Sequence, residues 1–386
     1  MVLETVVILA AGEGTRMKSS TPKVLHSIAG RTLVGHVLHA VQPLQPKNLR
    51  VVVGAGREEV EAHIADVAPH AVTIFQEKRG GTGHATQLAL ADLKPSGTIL
   101  VLAGDTPMLT GDSLSQLLQH HQSGGFTASV MTAEHPDPTG YGRIVRAEDG
   151  SLLRIVEERD ADDVVREIFE VNSGVYAFDA AKLAGAIGKL QSNNSQGELY
   201  LTDVIEILRS DGGSIAAVLI EDFMEILGVN DRVQLAESAA LLRDRINEDW
   251  MRAGVSIVDP LNTWIDATAE IAQDVVVLPG SAISGSTKIE SGAVIGPRAT
   301  LLDCTVGARS QVFESRCQEA VIGEDAVVGP FTYLRPGTKL LAQTKVGAFV
   351  EMKNATLGNG SKVPHLSYVG DAVIGEGTNI GAATIF

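Results

Sequence analysis

The sequence predicts an α/β protein built in sections: a Rossmann-like domain, a connecting helix, and a left-handed parallel β-helix of hexapeptide repeats. Three observations predict it. Short β-branched runs alternate with amphipathic stretches up to about residue 227, one helical pattern follows, and beyond Gly254 aliphatic residues recur every six positions. A chain of 386 residues is too long for one ordinary domain. The boundaries are expected at 1–228, 229–254 and 255–386.

In the first section Val6-Val7-Ile8-Leu9, Arg50-Val51-Val52-Val53, Val72-Thr73-Ile74-Phe75 and Thr98-Ile99-Leu100-Val101-Leu102 read as buried strands. Leu33 to Val41 and Glu58 to Val67 read as amphipathic helices between them. Strands alternating with helices imply a mostly parallel sheet covered on both faces. From Val229 to Gly254 the pattern is one helix, with Val233, Ala236, Ala240, Leu241 and Ile246 at roughly helical spacing.

In the third section Ile271, Val277, Ile283, Ile289, Ile295 and Leu301 fall six residues apart. A second phase runs Ile322, Val328, Leu334, Leu340 and Val346, and a third includes Leu357, Val363, Val369, Ile374 and Ile380. One inward aliphatic residue per six marks a parallel β-helix, where a β-sandwich would not keep the spacing. Such prisms assemble side by side, which predicts a homo-oligomer. The chain stops at Phe386 inside a repeat and without a polar cap, as expected of a truncated form of a longer protein.

Acidic residues number 47 and basic residues 31, a formal net charge of −16. That balance argues against a nucleic-acid partner. No apolar run is long enough for a membrane span, and the first residues lack the pattern of a secretory signal. Two cysteines, Cys304 and Cys317, form no metal-ligand pattern and suggest a reducing compartment. A cytoplasmic location is the expectation.

The chemistry concentrates in Leu9-Ala10-Ala11-Gly12-Glu13-Gly14-Thr15-Arg16-Met17 and the Pro22-Lys23 that follows. A glycine-rich turn after a strand lets backbone N–H groups approach phosphate oxygens. No acidic residue occurs from Gly14 to Arg57, whereas Arg16, Lys18, Lys23, Arg31, Lys47, Arg50 and Arg57 do. In so acidic a protein that window marks a polyanion site, with Lys47, Arg50 and Arg57 the bases expected to be merely solvated. A dinucleotide fingerprint would need a small residue at Met17 and an acid about 20 residues on, and a P-loop needs Gly-Lys followed by Ser or Thr. Neither occurs; Gly188-Lys189 is followed by Leu190. Ala103-Gly104-Asp105 follows a strand and places a carboxylate at the edge of the sheet, where it can hold Mg²⁺. Gly111-Asp112-Ser113 superficially suggests a serine-nucleophile motif, but Asp112 is expected to be a helix N-cap.

Leu9–Arg16 with Pro22-Lys23, Gln76 with Gly80-Gly81-Thr82-Gly83-His84-Ala85, and Ala103-Gly104-Asp105 resemble the sugar nucleotidyltransferases. Gly140-Tyr141-Gly142-Arg143-Ile144, Ile155-Val156-Glu157-Glu158, Val171-Asn172-Ser173-Gly174 and Gly228-Val229-Asn230-Asp231-Arg232 narrow this. With the hexapeptide β-helix behind them, the whole chain resembles the bacterial bifunctional N-acetylglucosamine-1-phosphate uridyltransferase/glucosamine-1-phosphate acetyltransferase family. The resemblance implies transfer of UMP from UTP to N-acetylglucosamine-1-phosphate, giving UDP-N-acetylglucosamine and pyrophosphate. It further implies acetylation of glucosamine-1-phosphate from acetyl-CoA.

By the same resemblance Leu9, Ala11, Gly12, Gln76, Gly81 and Thr82 hold the uridine nucleotide. Gly142, Glu157 and Asn172 bind the N-acetylglucosamine moiety, and Asp105 and Asn230 coordinate Mg²⁺. Ala103 stands where an aromatic residue often precedes Gly-Asp in this family, so a sugar or uracil contact is expected to be lost. The sugar phosphate attacks the α-phosphorus of UTP in line, with no general base, because a phosphate is already ionised at pH 7. Arg16 and Lys23 are assigned as the catalytic electrostatic pair.

In the β-helix the resemblance makes His365 the general base for the glucosamine amine. Arg335 and Lys353 grip the sugar phosphate, Tyr368 and Asn379 complete the sugar pocket, and Ala382 lies near acetyl-CoA. Family members continue past the position of Phe386 with residues that close the acetyl-CoA site between subunits. Acetyl transfer is therefore expected of the parent protein and impaired in this chain. Two other readings remain: a monofunctional hexose-1-phosphate nucleotidyltransferase with a structural β-helix, and a non-catalytic regulatory subunit on the same two folds.

Overall fold

The computed structural model describes residues 3–386, which fall into two compact units, 3–26 with 32–238, and 27–31 with 239–386. In the first unit the strands are β1 (Leu3–Ala10), β2 (Asn48–Val53), β3 (Val72–Phe75), β4 (Thr98–Ala103), β5 (Ala128–Glu134), β6 (Arg143–Arg146), β7 (Leu152–Val156), β8 (Glu170–Asp179) and β9 (Ile215–Leu219). Six helices of two turns or more accompany them: α1 (Leu33–Val41), α2 (Arg57–Val67), α3 (Gly81–Leu90), α4 (Gly111–Gly124), α5 (Ala180–Ile187) and α6 (Asp203–Ser210). The sheet order is β9-β5-β8-β4-β1-β2-β3, with β6 and β7 as a side hairpin off β8.

The pairs β4-β1, β1-β2, β2-β3 and β9-β5 are parallel. The departure is β8, antiparallel to both neighbours, so its N-terminal half lies at the same edge as the C-terminal ends of β1, β3 and β4. Alternation along the strands supplies two cores. Val6, Ile8, Leu100 and Leu102 enter one, and Val7, Ile99 and Val101 the other, which is why these runs are apolar at every position.

The Asp112 expectation needs correction. Helix α4 is capped by Thr110, whose hydroxyl accepts from the Ser113 amide at 3.2 Å, and Asp112 sits in the first turn. Ser113 Oγ donates to the buried Glu225 at 2.8 Å, so it is a structural hydroxyl.

In the second unit the strands stack into three columns. The columns starting at Ser256–Ile257 and Trp264–Ile265 merge through Lys345–Lys353, a strand long enough to turn the corner, and the third column starts at Glu270–Ile271. All sixteen aliphatic positions expected to face inward are buried. The phase slips at Leu301 because coils there shorten: Val306, Val312, Cys317 and Ile322 continue the core at steps of five, six, five and five residues. Cys317 thus fills an aliphatic position. Both cysteines are free and buried, and burial pushes their thiols up, leaving them unreactive.

The connecting helix α7 spans Arg232–Arg252. Its buried residues are Ser238, Leu242 and Asn247, whereas Val233 is 66% exposed and Ala236 faces solvent. The reason is polar: Asn247 Nδ2 donates to the carbonyls of Pro260 and Thr263, both at 2.9 Å, so an amide occupies the buried stripe. Residues 27–31, inside the range expected for the first domain, pack with the second unit, where Ala267 N donates to Ala29 O at 2.9 Å. No helix among the described residues is long and apolar enough to cross a membrane.

Candidate functional site

A cleft of about 520 Å³ opens at the edge where β1, β3 and β4 end. Leu9, Ala11, Gly12, Arg16, Lys23, Gln76, Gly81, Thr82, Asp105, Glu157, Asn172 and Asn230 all line it, from seven separate segments of chain. Gly142 lies beside them, its Cβ position 3.6 Å from Glu157 Oε2.

The glycine-rich turn holds its shape through Gly14, in the left-handed region at φ 61°, with Met17 N donating to Gly14 O at 2.9 Å. A side chain at Gly14 would stand 2.5 Å from Lys23 Cβ, so the glycine admits Lys23 to the cleft. Met17 is 1% exposed and anchors the turn in the core. The Lys23 ammonium ion-pairs with Asp105 Oδ2 and lies 3.3 Å from Asn230 Oδ1. Val229 N donates to Asp105 O at 2.9 Å, which ties the two oxygen-bearing segments together. Arg16 is exposed at the cleft and meets no carboxylate among the described residues.

The other bases of the acid-free window lie outside the cleft lining. Lys47 and Arg57 are exposed, as expected of solvated bases, and pair with Glu4 and Glu61, both at 2.8 Å, whereas Arg50 is buried and pairs with Asp92. Arg31 belongs to the second unit, and Lys18 does not line the cleft.

Beside the start of α3 the Gln76 amide donates to Gly81 O at 3.2 Å and meets His84 Nδ1 at 3.1 Å. Thr82 Oγ1 accepts from Leu201 N at 3.0 Å, and Leu199 N donates to Gly80 O at 2.7 Å, so the segment 198–202 is laced to the start of α3. From the same segment Thr202 donates to Glu157 Oε1 at 3.1 Å. Burial pushes the Glu157 carboxyl above the ordinary carboxylate range. Its neighbour Glu158 has a different job, holding the fully buried Arg143 at 2.9 Å. Asn172 N donates to Gly142 O at 2.8 Å.

In the second unit the other candidate residues lie on the last three coils. Arg335 N donates to Met352 O at 2.8 Å, so Arg335 and Lys353 stand one coil apart. Arg335 pairs with Glu351 at 2.8 Å, Glu351 is in register with Tyr368, and Lys353 is 3.9 Å from Asp371. The Tyr368 ring lies across Gly370, where a Cβ would stand 2.5 Å from its hydroxyl. His365 precedes the corner at Leu366 (φ 52°), exposed, in register with Ala348. Ala383 N donates to Leu366 O at 2.8 Å, which sets Ala382 on the coil beyond His365. Asn379 pairs in register with Lys362, on the neighbouring face of the prism from Arg335.

Comparison with known proteins accords with both halves. Residues 6–173 match the family model described as a MobA-like NTP transferase domain. The bifunctional protein GlmU of Streptomyces avermitilis is 53% identical over 99% of this chain and 80% of its own length. That of Mycolicibacterium vanbaalenii is 54% identical over 99% and 79%, and that of Paenarthrobacter aurescens 49% over 98% and 77%. The chain belongs to the GlmU family. It is therefore an enzyme, a nucleotidyltransferase and acetyltransferase in one polypeptide, and the monofunctional reading is not favoured.

The donor set at the GlmU-family cleft fits a hard divalent cation. Asp105 and Asn230 offer only oxygens, and the structure already places one cation, the Lys23 ammonium, against both. Among the described residues no three His, Cys, Asp or Glu side chains could hold a metal unaided. A metal at Asp105 and Asn230 would take its remaining oxygens from water and phosphate.

Sequence reasoning missed Tyr176, Thr202, Gln196 and the pair Glu13–Arg79, all at the cleft. Tyr176 alone had a local signal, since it follows Asn172 by four residues on one strand. Thr202 and Gln196 reach the site only through the lacing of 198–202 onto α3.

Proposed function

We propose that the first unit transfers UMP from UTP to N-acetylglucosamine-1-phosphate, with the residues of the cleft in the following roles. Leu9, Ala11, Gly12, Gln76, Gly81 and Thr82 bind the nucleotide, and Gly142, Glu157 and Asn172 bind the sugar. Arg16 and Lys23 stabilise charge developing on the attacked and leaving phosphates. The reaction needs a divalent metal, which we assign as Mg²⁺ held by Asp105 and Asn230. When bound it neutralises phosphate charge and fixes the triphosphate.

The attacking oxygen is already ionised, so the protein's contribution is position and electrostatics. Arg16 and Lys23 bring fixed positive charge to the mouth of the glycine-rich turn, where the amides point at anions. Glu157 and Asn172 orient the sugar so that its phosphate faces the α-phosphorus. The observation that carries this reading is that Arg16, Lys23, Asp105, Asn230, Glu157 and Asn172 all line one cleft, with Lys23 in contact with Asp105 and Asn230.

The second unit, we propose, acetylates glucosamine-1-phosphate from acetyl-CoA. Arg335 and Lys353 grip the phosphate, Tyr368 and Asn379 frame the sugar, His365 takes the amine proton and Ala382 borders acetyl-CoA. Adjacent bases one coil apart support the phosphate role. The exposed apolar edge of Phe331, Phe349, Leu366 and Ile385 supports assembly of the prism, as a homotrimer. Free buried thiols fit a cytoplasmic setting.

The test is metal-dependent pyrophosphate release from UTP with N-acetylglucosamine-1-phosphate, glucose-1-phosphate and glucosamine-1-phosphate in turn. Preference for the N-acetylated sugar is expected. Preference for glucose-1-phosphate would overturn the substrate assignment.

A further inference from the structure

Asn172 is held at both ends of its carboxamide. Gly174 N donates to its Oδ1 at 3.2 Å, and its Nδ2 donates to the Tyr176 hydroxyl at 2.7 Å. Gly174 N can only donate, so it fixes which end carries the oxygen, and Tyr176 takes one proton of the other end. What the carboxamide has left for a ligand is one N–H and one lone pair. A hexose presents vicinal hydroxyls, each a donor and an acceptor, which match such a pair.

The Tyr176 anchor is rigid. Its residue is 4% exposed on the central strand β8, paired with Val101 on one side and Val130 on the other. Its ring stacks on Phe178 with centroids 5.7 Å apart. Burial pushes the phenol up, so it stays protonated throughout the neutral range. The hydroxyl accepts from Asn172, and its own proton has no acceptor among the described residues, on a wall of the same cleft.

We propose that Tyr176 is a positioning residue for the sugar substrate, acting through Asn172: it locks the carboxamide so that its free N–H and lone pair face the hexose hydroxyls. This rests on the reading of Asn172 as a sugar-binding residue. A carboxamide released from Tyr176 would rotate about its last side-chain bond and lose order each time it bound sugar.

The test is Tyr176→Phe, which keeps the ring and its stacking, compared with Asn172→Ala and the double variant in the full chain. Tyr176→Met repeats the comparison with apolar bulk should the phenylalanine variant prove unstable. The expected result is a roughly tenfold rise in KM for N-acetylglucosamine-1-phosphate, with KM for UTP and kcat within about twofold. In the Asn172→Ala background Tyr176→Phe should add less than about twofold, because the residue it acts through is gone. An unchanged sugar KM in Tyr176→Phe, or a full independent effect in the double variant, would overturn the proposal. An unchanged sugar KM in Asn172→Ala would overturn the sugar-site reading itself, a distinct failure.

Discussion

The Lys23 ammonium rests between the Asp105 carboxylate and the Asn230 carboxamide, in contact with the two oxygens assigned to the metal. A metal that took these oxygens would compete with the ammonium and would free Lys23 to reach the phosphates of a bound nucleotide. Lys23→Ala should therefore lower kcat by about two to three orders of magnitude, the range seen when one charge-stabilising donor is removed. The change in Tm should stay within a few degrees, since Asp105 is 21% exposed and water can reach it. Free Lys23→Ala should also bind Mg²⁺ at least as tightly as the parent by calorimetry. Weaker binding would mean that the ammonium does not occupy the cation position.

Metal removal should separate the two activities. Chelation, or Asp105→Asn, which removes the one charged donor of the pair, should abolish pyrophosphate release while acetyl transfer persists. The residues assigned to acetyl transfer include no carboxylate, and the neighbouring Glu351 and Asp371 are each met by a base, Arg335 and Lys353. Parallel assays with and without chelator decide it. Loss of both activities would contradict the assignment of the metal to Asp105 and Asn230.

Glu157 should show a trade between stability and binding. Burial raises its folded pKa above the ordinary 4.5, so between those values the folded state holds a proton that the unfolded state lacks. Its best contribution to stability is present below 4.5 and is lost as pH rises through the folded pKa. Glu157→Gln should thus raise Tm at pH 7.5, by about 2–4 °C for each kcal/mol regained, with the gain vanishing near pH 4. The same variant should raise KM for the sugar phosphate tenfold or more. In the parent, sugar KM should climb as pH falls through the raised pKa, earlier than an ordinary carboxylate would require.

Most of the fold was legible because it is written in local pattern. Unbroken apolar, β-branched runs along β1 and β4, buried on both faces, and a step of six along the prism both follow from local backbone geometry, so Val6 to Leu9 and Ile271 to Leu301 declared themselves. The nucleotide loop was legible for a similar reason, since Gly14, Arg16 and Lys23 lie close together in sequence. What escaped notice depends on contacts across long separations. Ser238, Leu242 and Asn247 face inward on α7 because Asn247 satisfies the carbonyls of Pro260 and Thr263, which polarity alone would not suggest. The cap of α4 fell to Thr110 rather than Asp112, and Thr110 is itself held by Glu225, 115 residues away. Cys317 entered the prism core where shortened coils moved the phase, and a thiol there behaves as a small apolar side chain.

Gly14 links backbone conformation to catalysis. Gly14→Ala would place a Cβ 2.5 Å from Lys23 Cβ at a backbone φ of 61°. The left-handed conformation alone costs an alanine about 1–2 kcal/mol, and the clash must displace Lys23 or the turn. The expected result is a tenfold to hundredfold fall in kcat together with a lowered Tm. Gly125→Ala provides the control, because Gly125 has φ 60° with nothing within 4 Å of its Cβ position. It should lower Tm similarly and leave kcat unchanged. An equal kcat loss in both variants would attribute the effect to global destabilisation.

His365→Ala should silence only one of the two chemistries. The imidazole is exposed before the corner at Leu366, on the same strand as Tyr368 and one coil from Ala382, and it meets no side-chain partner among the described residues. That leaves a ring nitrogen free to take a proton from an amine, a role worth about two to four orders of magnitude. Acetyl transfer from acetyl-CoA to glucosamine-1-phosphate should fall by at least about a hundredfold, and its pH profile should lose the limb that reports the base. Pyrophosphate release should remain within about twofold, since every residue assigned to it belongs to the other unit. If acetyl transfer survives with its pH profile intact, the proton goes elsewhere, and His365 is a surface residue of the prism.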